Sequence, residues 1–194
     1  MRSLIFDTET SDMFDFKKPL DHPDQPDVIQ IAWYLLDEDT DLIMGDMELF
    51  VQTERPIAPG AFKAHGITHE MLNNFGVSQR VAMAFFNNVL KQADQVVTHN
   101  TEFDLKMMQV AYLRQNQGAN QFDQKRQFCT MRNSTDICKI PNPKRPTGFK
   151  WPSMQEAYQI LVDPAGFKDA HRAKADATAC LAVYRRLKAL RAAA

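Results

Sequence analysis

Ser3-Leu4-Ile5-Phe6-Asp7-Thr8-Glu9-Thr10 is an apolar run of strand formers broken, two residues apart, by two carboxylates. On a strand, residues i and i+2 share a face, ~6.6 Å apart along the chain at ~3.3 Å per residue. Two like charges on one face of a central strand repel and lose hydration, so a counterion has to stabilise them. The ordinary alternative is that the strand ends at Phe6 and both acids are solvated. Working outward, residues 11–27 are polar, contain Pro19, Pro23 and Pro26, and form a loop. Residues 28–36 are a second strand and 42–52 a third, with Met44, Leu49 and Val51 as its apolar members. The short polar link 37–41 predicts a hairpin, and the three strands together form an antiparallel meander.

Beyond residue 55 the period changes. Pro56, Pro59 and Gly60 punctuate a loop before a short helical stretch over 68–73. Residues 78–93 place Val81, Ala84, Phe85 and Val89 at helical spacing. Residues 96–98 are a short buried strand, and Leu105, Met108, Ala111 and Tyr112 mark the helix after it. Residues 114–127 are loop-like, and 128–131 form a fifth strand. A proline-rich basic loop over 139–152 precedes a short helix over 153–161, and Cys180, Val183, Tyr184, Leu187 and Leu190 line one face of a last helix. The order β-β-β-α-β-α-β-α-α predicts an α/β domain: a mixed five-stranded sheet flanked by helices.

The chain has 194 residues, 44% hydrophobic and 24% charged, which suits one domain over 1–194 and excludes disordered and fibrous classes. No apolar run approaches the ~20 residues of a membrane span, and the N-terminus lacks the long apolar core of a signal peptide. Three cysteines, Cys129, Cys138 and Cys180, have neither disulfide-framework nor zinc spacing, and a reducing cytoplasm is expected. The net charge of −1 hides an asymmetry: residues 1–60 carry 14 acidic and 4 basic side chains, residues 125–194 carry 5 and 14. Such a division fits solvated faces, or carboxylates that gather cations beside a surface that holds a polyanion.

Two further acids stand at element boundaries. Asp104 follows the strand over 96–98 at the start of the next helix, and Asp176 lies five residues after His171 at the start of the last one. Each alone reads as a first-turn acid favoured by the helix dipole. With Asp7 and Glu9 they share one property: the edge of a sheet would gather them. Four converging carboxylates call for divalent cations, and hard oxygen ligands suit Mg²⁺ or Mn²⁺. A histidine beside them can take a proton from water.

These residues resemble a known family. Phe6-Asp7-Thr8-Glu9-Thr10 resembles the first motif of the DEDDh 3′–5′ exonucleases, the group of the DNA polymerase III epsilon subunit. His99-Asn100-Thr101-Glu102-Phe103-Asp104 resembles the second, and His171 with Asp176 the third, H-x-x-x-x-D. His65-Gly66-Ile67-Thr68 and Phe149-Lys150-Trp151-Pro152-Ser153-Met154 resemble two linking segments, so the similarity covers roughly residues 3–190. It implies a ribonuclease-H-like fold, with Asp7, Glu9, Asp104 and Asp176 as ligands of two Mg²⁺ or Mn²⁺ ions. It implies His171 as general base and Glu9 also as a catalytic group that orients the attacking water or holds the 3′-hydroxyl.

The implied activity is removal of nucleoside 5′-monophosphates from a 3′ end, with single-stranded DNA as the expected substrate, in proofreading, repair or DNA processing. Proofreading would need a polymerase in trans. The alternatives are an exoribonuclease acting on short RNA or RNA 3′ ends and a non-catalytic 3′-end-binding module, although such a module would be expected to have lost one of the five polar residues. Expected substrate contacts are Thr8, Thr10, Met13, His65, His99, Asn100 and Phe103, with Lys144, Arg145 and Lys150 of the basic loop on backbone phosphates. Family members often read Thr-Gly-Leu where Ser11-Asp12-Met13 stand here. The expectation is that Asp12 accepts the left-handed conformation at the turn and Met13 serves as the wedge between terminal bases.

Overall fold

A computed structural model describes residues 1–144 and 147–193. Arg145, one of the expected phosphate contacts, lies outside the described residues. Five strands form one sheet in the order β3-β2-β1-β4-β5: β1 (Arg2–Thr10), β2 (Val28–Asp37), β3 (Leu42–Phe50), β4 (Gln95–Thr98) and β5 (Arg126–Cys129). The pairs β1–β2 and β2–β3 are antiparallel, while β1–β4 and β4–β5 are parallel. This is the predicted mixed five-stranded sheet.

Alternation along β1 sorts its side chains to two cores. Leu4 and Phe6 pack on one face with α3 (Gln79–Gln92) and α4 (Thr101–Arg114). Ile5 points to the other, against α6 (Met154–Leu161) and α7 (Ala173–Ala192). Asp7 and Glu9 continue the Ile5 face toward α7. Strand β1 also outlasts its parallel neighbour. Its pairing with β4 covers only Ser3, Leu4 and Ile5, and the chain leaves β4 after Thr98 to turn into α4. From Asp7 onward β1 is therefore paired on one side only, by β2, and a crevice opens beside it at the carboxyl end of the parallel strands.

Three readings are corrected. The Pro59-Gly60 stretch begins a helix, α1 (Pro59–His65), because proline fits the first helical turn, where its missing N–H has no partner to lose; α2 (His69–Phe75) follows. The fifth strand ends at Cys129, and Thr130 begins α5 (Thr130–Cys138). The buried face of α3 is Ala82, Met83, Phe86, Val89 and Leu90, not the stripe of Val81, Ala84 and Phe85. Both stripes are apolar at helical spacing, and only the sheet beneath chooses between them.

Candidate metal and catalytic site

Asp7, Glu9 and Asp176 come together at the crevice. One carboxylate oxygen from each lies within 4.8 Å of the other two. Asp176 reaches this point because α7 begins there. Its backbone N–H donates to the carbonyl of Arg172, and its Oδ2 accepts the backbone N–H of His171 at 2.6 Å. The same bond folds the chain back at His171, which has a left-handed φ of 65°. The start of α7 is tied to the sheet by Gln30, whose Oε1 accepts the N–H of Ala173 at 3.1 Å. Gln30 faces Glu9 across the β1–β2 ladder. Its signal in the sequence was a polar residue inside an apolar strand, the same signal that singled out Asp7 and Glu9.

Asp104 enters from the opposite side of the sheet. It is 2% exposed, and its Oδ1 accepts from both the hydroxyl of Thr8 (2.8 Å) and the backbone N–H of Thr8 (3.2 Å). It lines the same cleft as the other three acids but stands outside the group within 4.8 Å. Thr8 is thus a latch for Asp104, and the Thr10 hydroxyl donates to the Asp12 carbonyl at 2.6 Å, so both threonines are engaged inside the protein.

The cleft holds about 540 Å³. It is also lined by Thr10, Asp12, Met13, His65, Asn100, Phe103 and Met154, together with Ala61 and Ala64, which the sequence had not marked. Met13 stands on its rim, 71% exposed. Asp12 does not take the left-handed conformation expected of it; its Oδ1 accepts the N–H of Met13 at 2.7 Å, and that bond shapes the turn. Among the cleft residues the left-handed ones are Asn100, at the entry to α4, and His171.

Two of the three histidines that line the cleft have their rings engaged within the protein. His65 Nδ1 accepts the Ile67 N–H at 2.9 Å, which leaves Nε2 to donate to the Thr10 carbonyl at 3.3 Å. His99 Nε2 faces the Pro152 carbonyl at 3.0 Å and Nδ1 the Thr130 hydroxyl at 2.9 Å. Burial pushes His99 down to about 4, so it is neutral and ties together the ends of β4, α5 and the approach to α6. Neither imidazole offers a free nitrogen to a ligand. His171 lines the cleft from an exposed position, held to Asp176 by its backbone rather than its ring. Lys144 and Lys150 are not among the cleft residues, and Lys150 Nζ pairs with Glu156 at 2.5 Å.

The electrostatics are those of an acid cluster in want of cations. Among the described residues, none of the four carboxylates forms a salt bridge. Burial, then the charges of Asp104, Asp176 and Glu9, hold Asp7 well above the usual carboxylate range. Burial and the neighbouring Asp176 and Asp104 push Glu9 up to about 8. Burial raises Asp104 to about 7 against the opposing Thr8 hydrogen bonds, and burial raises Asp176 as well. Protons or metal ions can relieve this strain, and all-oxygen donors suit hard divalent ions.

Comparison with known proteins places the chain in a family and a fold. The family model described as Exonuclease matches residues 4–184. The DNA polymerase III epsilon subunit of Pasteurella multocida (strain Pm70) is 26% identical over 172 residues, 88% of this chain and 60% of that protein. The epsilon subunit of Haemophilus influenzae is 24% identical over 128 residues, 66% of this chain and 44% of that protein. Escherichia coli Exonuclease I, solved in complex with a dT13 oligonucleotide, shares the fold at a TM-score of 0.75 and 17% identity, covering 99% of this chain and 43% of that one. The Exonuclease I of Methylocaldum szegediense superposes at 0.72 with 18% identity, over 97% of this chain and 40% of that one. The fold is the ribonuclease-H-like one of these exonucleases, and the chain spans less than two thirds of each of these relatives.

Proposed function

The chain belongs to the DEDDh exonuclease family, whose members depend on metal ions, and from that premise we propose a 3′–5′ exonuclease that releases nucleoside 5′-monophosphates from single-stranded DNA. In this reading residues 1–194 act as one exonuclease domain. The observation that carries it is the meeting of Asp7, Glu9 and Asp176 within 4.8 Å, in a cleft that also contains Asp104 and His171. The donors fit two Mg²⁺ or Mn²⁺ ions, which when bound would neutralise the acids and stabilise negative charge on the scissile phosphate.

The chain's own residues do the rest. His171 takes the proton of the attacking water at its ring, while its backbone bond to Asp176 fixes where that ring can stand. Glu9 orients the water or holds the terminal 3′-hydroxyl. Thr8 keeps Asp104 aimed into the cleft. Met13 on the rim wedges against the terminal base, with Asn100 and Phe103 on the facing wall. Lys144, Arg145 and Lys150 meet backbone phosphates further along the strand. Three free thiols support a reducing compartment such as the cytoplasm. A polymerase partner in trans would make the activity proofreading.

The test is digestion of 3′-labelled and 5′-labelled single-stranded DNA, duplex DNA and RNA with Mg²⁺ or Mn²⁺. Mononucleotide release from the 3′ label first, fastest on single-stranded DNA and abolished by chelator, is the expected result. Faster digestion of RNA would move the substrate assignment, and no digestion of any strand would overturn the reading.

A further inference from the structure

One aromatic surface beside the cleft has no part in the chemistry above. Trp151 is 60% exposed, and Phe149, two residues earlier, is exposed as well. They stand where the basic loop returns to the domain: Pro141 bridges Phe149, and the Lys150 N–H donates to the Ile140 carbonyl at 2.9 Å. The position of Trp151 is set by its neighbours. Pro152, next in the chain, is bonded to His99, and Met154 lines the acid cleft. On the other side, the Arg132 guanidinium lies 5.7 Å from the indole centroid. Arg132 also pairs with Glu102 at 3.3 Å, in the first turn of α4, between Asn100 and Phe103 of the cleft wall and a second hollow of about 610 Å³. That hollow is lined by Lys106, Gln109, Arg132 and Asn133, among others.

We propose that Trp151, with Arg132 beside it, is a second nucleobase-stacking subsite, engaged by a single strand whose 3′ end occupies the acid cleft. The proposal rests on the exonuclease reading and deepens it. An indole face accepts any base, because every base has a π-face, and stacking of this kind tolerates sequence. A guanidinium against the ring adds cation–π attraction and a phosphate donor on the same surface. Lys139 and Lys144, earlier in the same basic segment, are exposed. Bases inside a duplex are already stacked, so the subsite selects single strands without reading a base edge.

The chain has only two tryptophans, and Trp33 is 8% exposed within the core, so a strand that stacks on an indole quenches Trp151 while the emission of Trp33 remains as a constant background. In chelator, which keeps the strand intact, a thymidine homo-oligomer of about twelve nucleotides should quench the wild-type emission to saturation. A duplex of the same length and inorganic polyphosphate should not. Trp151→Phe should lose the quenching while binding a labelled oligomer nearly as tightly, and Trp151→Ala should bind it roughly 5- to 150-fold more weakly. The proposal is overturned by an unquenched wild type, by quenching that persists in Trp151→Phe, by equal quenching with polyphosphate, or by wild-type affinity in Trp151→Ala. Hydrolysis of the same oligomer with Mn²⁺ is a separate channel: its absence overturns the exonuclease reading, whereas hydrolysis without quenching overturns only the subsite.

Discussion

Two groups of buried acid sit at opposite ends of the 11–27 loop, and they are neutralised in opposite ways. At the far end Asp27, 7% exposed, is met from every side by its own chain. Arg114, from the end of α4, pairs with it and also binds the carbonyls of Gln25 and Pro26. Arg55 lies at 3.5 Å, and the Thr53 hydroxyl donates at 2.5 Å. At the near end Asp7, Glu9, Asp104 and Asp176 face one another, with hydrogen bonds to two of them but no ion pair among the described residues. A buried charge answered by the same chain is scaffold. One left to be answered by something else is a binding site, and its raised proton affinity marks the difference.

The strongest way to break this comparison is to remove one charge from the unanswered group. Asp176→Asn keeps the shape of the side chain, and it should weaken metal binding and abolish nuclease activity together, with partial rescue by excess Mn²⁺. Calorimetric titration with Mn²⁺ beside digestion of a 3′-labelled strand checks both. Full wild-type activity in chelator would show that the acids are not waiting for a metal.

Next in size, His171→Ala leaves all four carboxylates in place. Mn²⁺ binding should survive while the rate falls by about 10² to 10⁴, the usual share of a general base. The variant should also lose the acid limb of the pH–rate profile. A variant that keeps both its rate and that limb would remove His171 from the chemistry and leave it only a backbone role at Asp176.

The two groups should separate in stability as well. Arg114→Ala leaves the buried Asp27 charge with only Arg55 at 3.5 Å as an ion partner and should cost roughly 2–4 kcal/mol, with no rescue by metal. Asp7→Asn removes a charge from a repelling group, so the metal-free variant should melt no lower than metal-free wild type. Urea unfolding of both variants in chelator measures the contrast, and equal losses would erase it.

A further contrast is a pH slope in the metal-free protein. Glu9 is raised from 4.5 to about 8 and Asp104 from 3.8 to about 7 in the folded state. Between the unfolded and folded values the native state holds more protons than the unfolded one, so stability falls as pH rises from about 4 to about 8 and levels off above. Saturating Mn²⁺ should flatten this slope by taking the place of the protons. A metal-free melting temperature that climbs across the same window would contradict the burial of these acids.

By itself the sequence determined the meander, the element on which each of the four acids sits, and the residue types that make divalent ions the natural ligand. These follow from periodicity and spacing, which run along one dimension. Tertiary structure decided the rest. It turned the Ala82 and Phe86 stripe of α3 inward rather than the equally apolar Val81 and Phe85, because the sheet lies on that side. It closed Nε2 of His65 and both ring nitrogens of His99 with groups distant in sequence, Thr10, Pro152 and Thr130. It brought Asp7, Glu9 and Asp176 within 4.8 Å across more than 160 residues of chain, because β1 runs past the end of β4 and α7 begins over the gap, anchored by Gln30. It also held Asp104 on the far side of Thr8, outside that group. Convergence of this kind depends on where strands stop and helices start relative to one another in space, and no local pattern encodes that.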